Sequence, residues 1–93
     1  MIVGTVRIEL HIPAATSLKQ KRSVVQGLKE RIRARVRAAV AEVDHQDLWQ
    51  RAALGVAVVS GEGHQVTEML AAVRRLVDAT HGVELLDWQE DVN

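Results

Sequence analysis

The amino-acid sequence predicts an α+β domain of the ferredoxin-like kind, a β-α-β-β-α-β sandwich whose four-stranded antiparallel sheet carries two helices on one face. Residues 2–12 alternate apolar and polar with the period of a strand, and residues 54–60 are apolar or small on both faces. Residues 18–36 and 66–77 instead repeat apolar residues at the spacing of helices. Breaker clusters separate these segments, and two right-handed crossovers put both helices on the same side of the sheet. A chain of 93 residues leaves no room for a second core, so residues 1–93 form a single domain.

The first strand sets Ile2, Gly4, Val6, Ile8, Leu10 and Ile12 on one side and Thr5, Arg7, Glu9 and His11 on the other. Pro13 ends it, having no N–H to give to a ladder. Ser17 and Gln20 form an S-x-x-Q pattern in which the hydroxyl caps the first helix and the amide reaches back. Leu18, Val25, Leu28, Ile32 and Val36 trace the apolar stripe of that helix. A second strand is expected over 39–44, although Ala is a mediocre strand former and residues 37–40 could continue the helix. The polar run 44–47 leads to a third strand, best over 54–60 and central in the sheet because both its faces are apolar or small. Ser60-Gly61-Glu62-Gly63 breaks the chain before a second helix marked by Val66, Met69, Leu70, Val73 and Val77. His81-Gly82 supplies its C-terminal cap, and residues 83–88 form a short last strand with an acidic tail.

Composition narrows the chemistry. The chain is 47% apolar but only 2% aromatic, so Val, Leu, Ile and Ala must build the core, and disorder is excluded. With no cysteine there is no disulfide, thiolate nucleophile or cysteine-ligated zinc. The apolar N-terminus is interrupted by Arg7, Glu9 and His11 and has no basic leader, which predicts a cytoplasmic protein. No stretch approaches the roughly 18 apolar residues that span a bilayer.

The formal charge is zero, yet the two signs are segregated. Lys19, Lys21, Arg22, Lys29, Arg31, Arg33, Arg35 and Arg37 share their segment with one acid, Glu30, whereas residues 76–93 hold Asp78, Glu84, Asp87, Glu90 and Asp91 and no Lys or Arg. A neutral chain with this pattern still carries a basic face.

Three stretches resemble the YlxP-like family, short bacterial proteins grouped as a domain of unknown function. They are Met1-Ile2-Val3-Gly4 with the strand that follows, Ser17-Leu18-Lys19-Gln20-Lys21-Arg22, and the run from Glu42 through His45, Trp49 and Ala52 into Leu54-Gly55-Val56-Ala57-Val58-Val59-Ser60. The resemblance implies a ferredoxin-like fold and a gene often near those of translation initiation factor 2 and ribosome-binding factor A. It supplies no activity and no catalytic residues.

Lys19, Lys21, Arg22, Lys29, Arg33 and Arg37 are the candidate nucleic-acid-binding residues, because Lys and Arg along a helix neutralise successive phosphates without reading sequence. The same pattern describes a solvated helix face. RNA-recognition domains of this topology stack bases on aromatics of the central strands, but strands one and three contain none, so electrostatics is expected to dominate. Trp49 beside Arg51 reads either as an interfacial anchor or as packing over the sheet edge, with burial favoured in a chain of so few aromatics.

The remaining candidates are weaker. Glu42, Asp44, His45 and Asp47 are of the ligand types for a divalent metal, in a spacing that matches no defined motif and suits a turn. Ser60-Gly61-Glu62-Gly63 lacks the Lys of a phosphate loop, and Ser17 has no neighbouring base. The open sheet face, centred on Ala57, could be covered by another subunit. The expectation is therefore a non-catalytic binding protein, without cofactor, that contacts RNA or a ribosomal particle through its first helix. A homo-oligomeric module using Ala57 and its neighbours comes second, and a metal-dependent enzyme at 42–47 last.

Overall fold

Alternation of buried and open residues along β1 (Ile2–His11) makes this strand the centre of the architecture, in a computed structural model that describes residues 1–93. It is followed by α1 (Leu18–Arg35), β2 (Ala39–Asp44), β3 (Arg51–Ser60), α2 (Gly63–Asp78) and β4 (Glu84–Val92). The sheet order is β2-β3-β1-β4 and all neighbours are antiparallel. This is the ferredoxin-like arrangement. Val6, Ile8, Leu10, Leu54, Val56 and Val58 face the helices and pack on Val25, Leu28 and Ile32 of α1 and Val66, Leu70, Val73 and Val77 of α2. The opposite sheet face has no helix, so Thr5, Ala57 and Val59 are exposed there.

Gly4 belongs to the buried face. A Cβ at this position would collide with Val66 Cγ1 and stand 3.0 Å from Leu70 Cδ1, so its lack of a side chain lets α2 settle on β1.

Several boundaries differ from those read in the sequence. At the start of α1, Ser17 Oγ accepts from Gln20 N (3.1 Å), but the Gln20 amide oxygen accepts from Thr16 N (2.7 Å) and Thr16 Oγ1 (2.8 Å), one residue earlier than the capping pattern implies. The helix stops at Arg35 because Val36 is extended (φ −133°, ψ 134°), which leaves Arg37 outside it. β3 begins at Arg51, since β1 offers it partners along its whole length, from Ile2 opposite Ser60 to His11 opposite Arg51. The acidic tail is strand too: Glu90 and Asp91 pair with Val6 and Thr5. A ladder against β1 overrides the poor strand propensity of the acids. The C-terminal end of α2 is closed by Ala79 N donating to Arg75 O (3.0 Å), while Gly82 (φ 86°) serves the turn into β4 rather than the cap.

Candidate nucleic-acid interface

Each residue of a helix turns about 100° from the last, and this step divides the cations of α1 into three groups. Lys19, Arg22, Lys29 and Arg33 fall on one flank. Arg31 and Arg35 fall on the other, toward α2. Lys21 falls between them, four residues before Val25 and seven before Leu28, on the buried stripe. The first flank lies toward β2, where Arg33 Nη2 donates to the carbonyl of Val40 (2.8 Å). Arg31 Nη2 donates to Thr80 Oγ1 (3.1 Å) just beyond α2.

Lys21 is therefore not part of the basic surface. Its side chain is 0% exposed. Nζ donates to Glu42 Oε2 (2.9 Å) and to the carbonyls of His45 (2.8 Å), Gln46 (3.2 Å) and Arg51 (3.3 Å). A buried ammonium is tolerated only with a counter-charge and a full set of acceptors, and the β2–β3 connection supplies both. The sequence contained the signal, since spacings of four and seven to Val25 and Leu28 mark a core position. Arg37 departs from the expectation differently: it is exposed, in the link between α1 and β2.

None of Lys19, Arg22, Lys29, Arg33, Arg35 and Arg37 has a carboxylate within ion-pair distance. On the β2 side the acids are engaged elsewhere, Glu42 with Lys21, Asp44 with Arg7, and Glu30 with the Gln26 amide, while Glu68 of α2 shares a groove with Arg35 and Arg37. The acidic strand β4 is at the far edge of the sheet. Three strand spacings, roughly 14 Å, exceed the screening length of about 8 Å at physiological ionic strength. The acidic edge thus leaves the β2-side flank electropositive.

Trp49 is exposed (54%), in the loop between β2 and β3, and is no part of the core. The packing expected for it is taken instead by Trp88, half-buried against the core with the Arg74 guanidinium 5.3 Å from its ring centre. The loop that presents Trp49 is held at both ends. His45 adopts φ 62° and its carbonyl accepts from Leu48 N (3.0 Å). Gln50 Nε2 donates to the carbonyls of Pro13 (3.1 Å) and Ala15 (3.2 Å), and Ile12 N donates to Gln50 O (2.8 Å).

Arg51 borders the same shallow concavity as Trp49, but its guanidinium is engaged elsewhere. As the first residue of β3 it turns onto the open sheet face, where Nη2 donates to Glu9 Oε2 (3.1 Å). Glu9 also receives Arg7 Nη2 (2.9 Å) and lies 3.1 Å from His45 Nε2, while Arg7 reaches Asp44 Oδ2 (3.1 Å). Burial pushes the Glu9 carboxyl up, but hydrogen bonds from Arg7 and Arg51 and the positive potential of His45 outweigh it and hold Glu9 below the usual carboxylate range. Asp44 is held low by the His45 backbone N–H and by Arg7.

These bonds engage Asp44 and His45 of the 42–47 segment, ranked last in the sequence reading as a metal site. Glu42 points inward to Lys21, and no three His or acidic side chains converge to hold a cation. Beside this network the open face forms a shallow concavity of about 550 Å³ over Ala39, Ala41, Gly55 and Ala57, walled by Val43, Arg7 and Gln89. Ala57 is at its floor, as the strand alternation implies. Sequence reasoning missed Arg75, which lines a groove between the helices with Arg35, Ala72 and Leu76; only the packing of α1 on α2 unites these arginines.

Residues 3–90 match the family model described as "Protein of unknown function (DUF503)". The chain belongs to the DUF503 family. This DUF503 chain is 31% identical over 83 residues to "Uncharacterized protein YlxP" of Bacillus subtilis (strain 168), covering 89% of the chain and 90% of that protein. Among solved structures, a de novo designed protein with ferredoxin fold, determined by solution NMR, matches with a TM-score of 0.56 at 10% identity, over all of this chain and 84% of the other. That likeness shows the fold alone. Family and relative are both described without an activity, so the roles of residues rest on geometry and charge.

Proposed function

We propose that this DUF503 protein is a non-catalytic module that binds RNA, alone or within a ribosomal particle, through the β2-side flank of α1. The observation that carries the reading is the set of Lys19, Arg22 and Lys29, cations without an acid partner on one flank of an 18-residue helix. Between Lys19 and Lys29 this flank runs about 15 Å at the helical rise of 1.5 Å per residue, long enough to follow two or three phosphates. Phosphate contacts of this kind give affinity without sequence preference and release counterions.

The test is fluorescence anisotropy of a labelled single-stranded RNA with the wild type and with the Lys19→Glu/Arg22→Glu/Lys29→Glu variant. Arg33 is left unchanged because it braces the helix against β2. Three neutralised phosphates predict a fall in affinity of roughly 20-fold between about 50 and 200 mM salt, and the variant loses binding while keeping its circular dichroism. Salt-independent binding, or a variant that binds as well as the wild type, refutes the reading.

A further inference from the structure

The cations of α1 leave one exposed feature of the same edge unused. Trp49 and its neighbour Leu48 are both about half exposed, at 54% and 48%, in a chain with only two aromatic residues. An exposed indole is costly to leave in water, and here the backbone on either side of it is fastened. Lys21 holds the carbonyls of His45, Gln46 and Arg51, and Gln50 is tied to Pro13 and Ala15 in the segment entering α1. The bonds that shape the loop also set it against the N-terminal turn of α1. Lys19 and Arg22 flank Lys21 in that turn, within about 3 Å of it along the helix axis by the helical rise, and both point outward. An aromatic side chain on a fastened loop that is joined to the turn carrying outward-pointing cations offers the pairing by which single-stranded nucleic acids are held, with base on ring and phosphate on cation.

We propose that Trp49 is a base-stacking platform for single-stranded RNA, whose phosphates run from Arg22 and Lys19 along the β2-side flank of α1. The inference rests on the function proposed above and specifies its ligand. Asp47, in the same loop, disfavours a phosphate at the tip itself, so a base rather than the backbone meets the indole. A loop whose backbone is already fastened needs less ordering on binding. Duplex RNA keeps its bases stacked inside the helix and cannot use it. The sheet, which lacks aromatics on β1 and β3, is replaced in this role by the β2–β3 loop.

The test uses the Trp88→Phe protein, in which Trp49 is the sole source of indole emission. Titration with a single-stranded oligouridylate is expected to quench that emission in parallel with anisotropy of the labelled RNA, whereas a duplex of equal length leaves it unchanged. Trp49→Ala should weaken single-strand binding about tenfold, within the range known for base stacking, and Trp49→Phe should restore most of it. Salt-sensitive binding with unaltered emission and no effect of Trp49→Ala overturns the platform while leaving the electrostatic reading intact. Absence of any binding sinks both. Emission that instead depends on protein concentration without RNA assigns the tip to a contact between copies and overturns the proposal.

Discussion

Replacing Lys21 by methionine keeps most of the side-chain volume but takes a charged donor from three carbonyl oxygens and the counter-charge from Glu42. The Glu42 carboxylate is largely buried and the ammonium fully so, and a buried charge left without its partner makes the loss large. Lys21→Met is expected to destabilise the fold by about 3 kcal/mol, read as a lower urea midpoint, and to loosen the loop that carries Trp49, read as greater quenching of its emission by acrylamide. A midpoint equal to that of the wild type would mean that the ammonium is dispensable to the loop. The outward cations of α1 differ in kind: they face water, and their replacement should leave the midpoint nearly unchanged. Position around the helix, rather than residue type, separates the structural lysine from those proposed to bind.

Among the elements, α2 depends most on a close approach. Val66 and Leu70 sit against the bare backbone of Gly4, and Val58 Cγ2 would be 3.2 Å from any Cβ placed there. Gly4→Ala must therefore displace the helix or force rotamers in a packed layer, at an expected cost of about 1–3 kcal/mol, measured by chemical denaturation. An alanine variant as stable as the wild type would show that the layer yields freely. Edge strands show a different economy. β2 is short and carries a bulge at Val43, and β4 has a register shift opposite Glu9 and Leu10 and presents Asp87, Glu90 and Asp91. Short, bulged or charged edges resist pairing with a second sheet, so contacts through the helix flank or the loop suit this molecule better than strand addition.

Taken as a whole, the molecule is joined across its open face by one ionic network. Glu9 on β1 receives Arg7 of its own strand and Arg51 of β3, and Arg7 also reaches Asp44 at the end of β2. Both carboxylates are held below their usual range, so the unfolded chain takes up protons first as the pH falls. The stabilisation is thus complete above the ordinary carboxylate range and declines from roughly pH 5 downward through the lowered folded values. Glu9→Gln should lower the urea midpoint at neutral pH and flatten its fall on acidification. A variant whose midpoint falls with pH as steeply as that of the wild type would place the acid sensitivity elsewhere.

What the sequence by itself determined was the fold. Alternation in 2–12, the apolar repeats of the two helices and the breaker residues between them are local signals, because strand and helix periods are properties of the backbone. The limited ways of joining them then select one topology. The flank of Lys19, Arg22 and Lys29 was visible for the same reason. Only the tertiary structure decided what the other charged and aromatic residues do. The acceptors of Lys21 lie 21 to 30 residues away in the chain, and Arg51 finds Glu9 across 42. Trp49 is exposed because those distant bonds shape its loop, and β4 continues through Glu90 and Asp91 because β1 holds them in a ladder. Such partners are brought together by packing, and a linear pattern of residue types contains no record of which chain segments will meet.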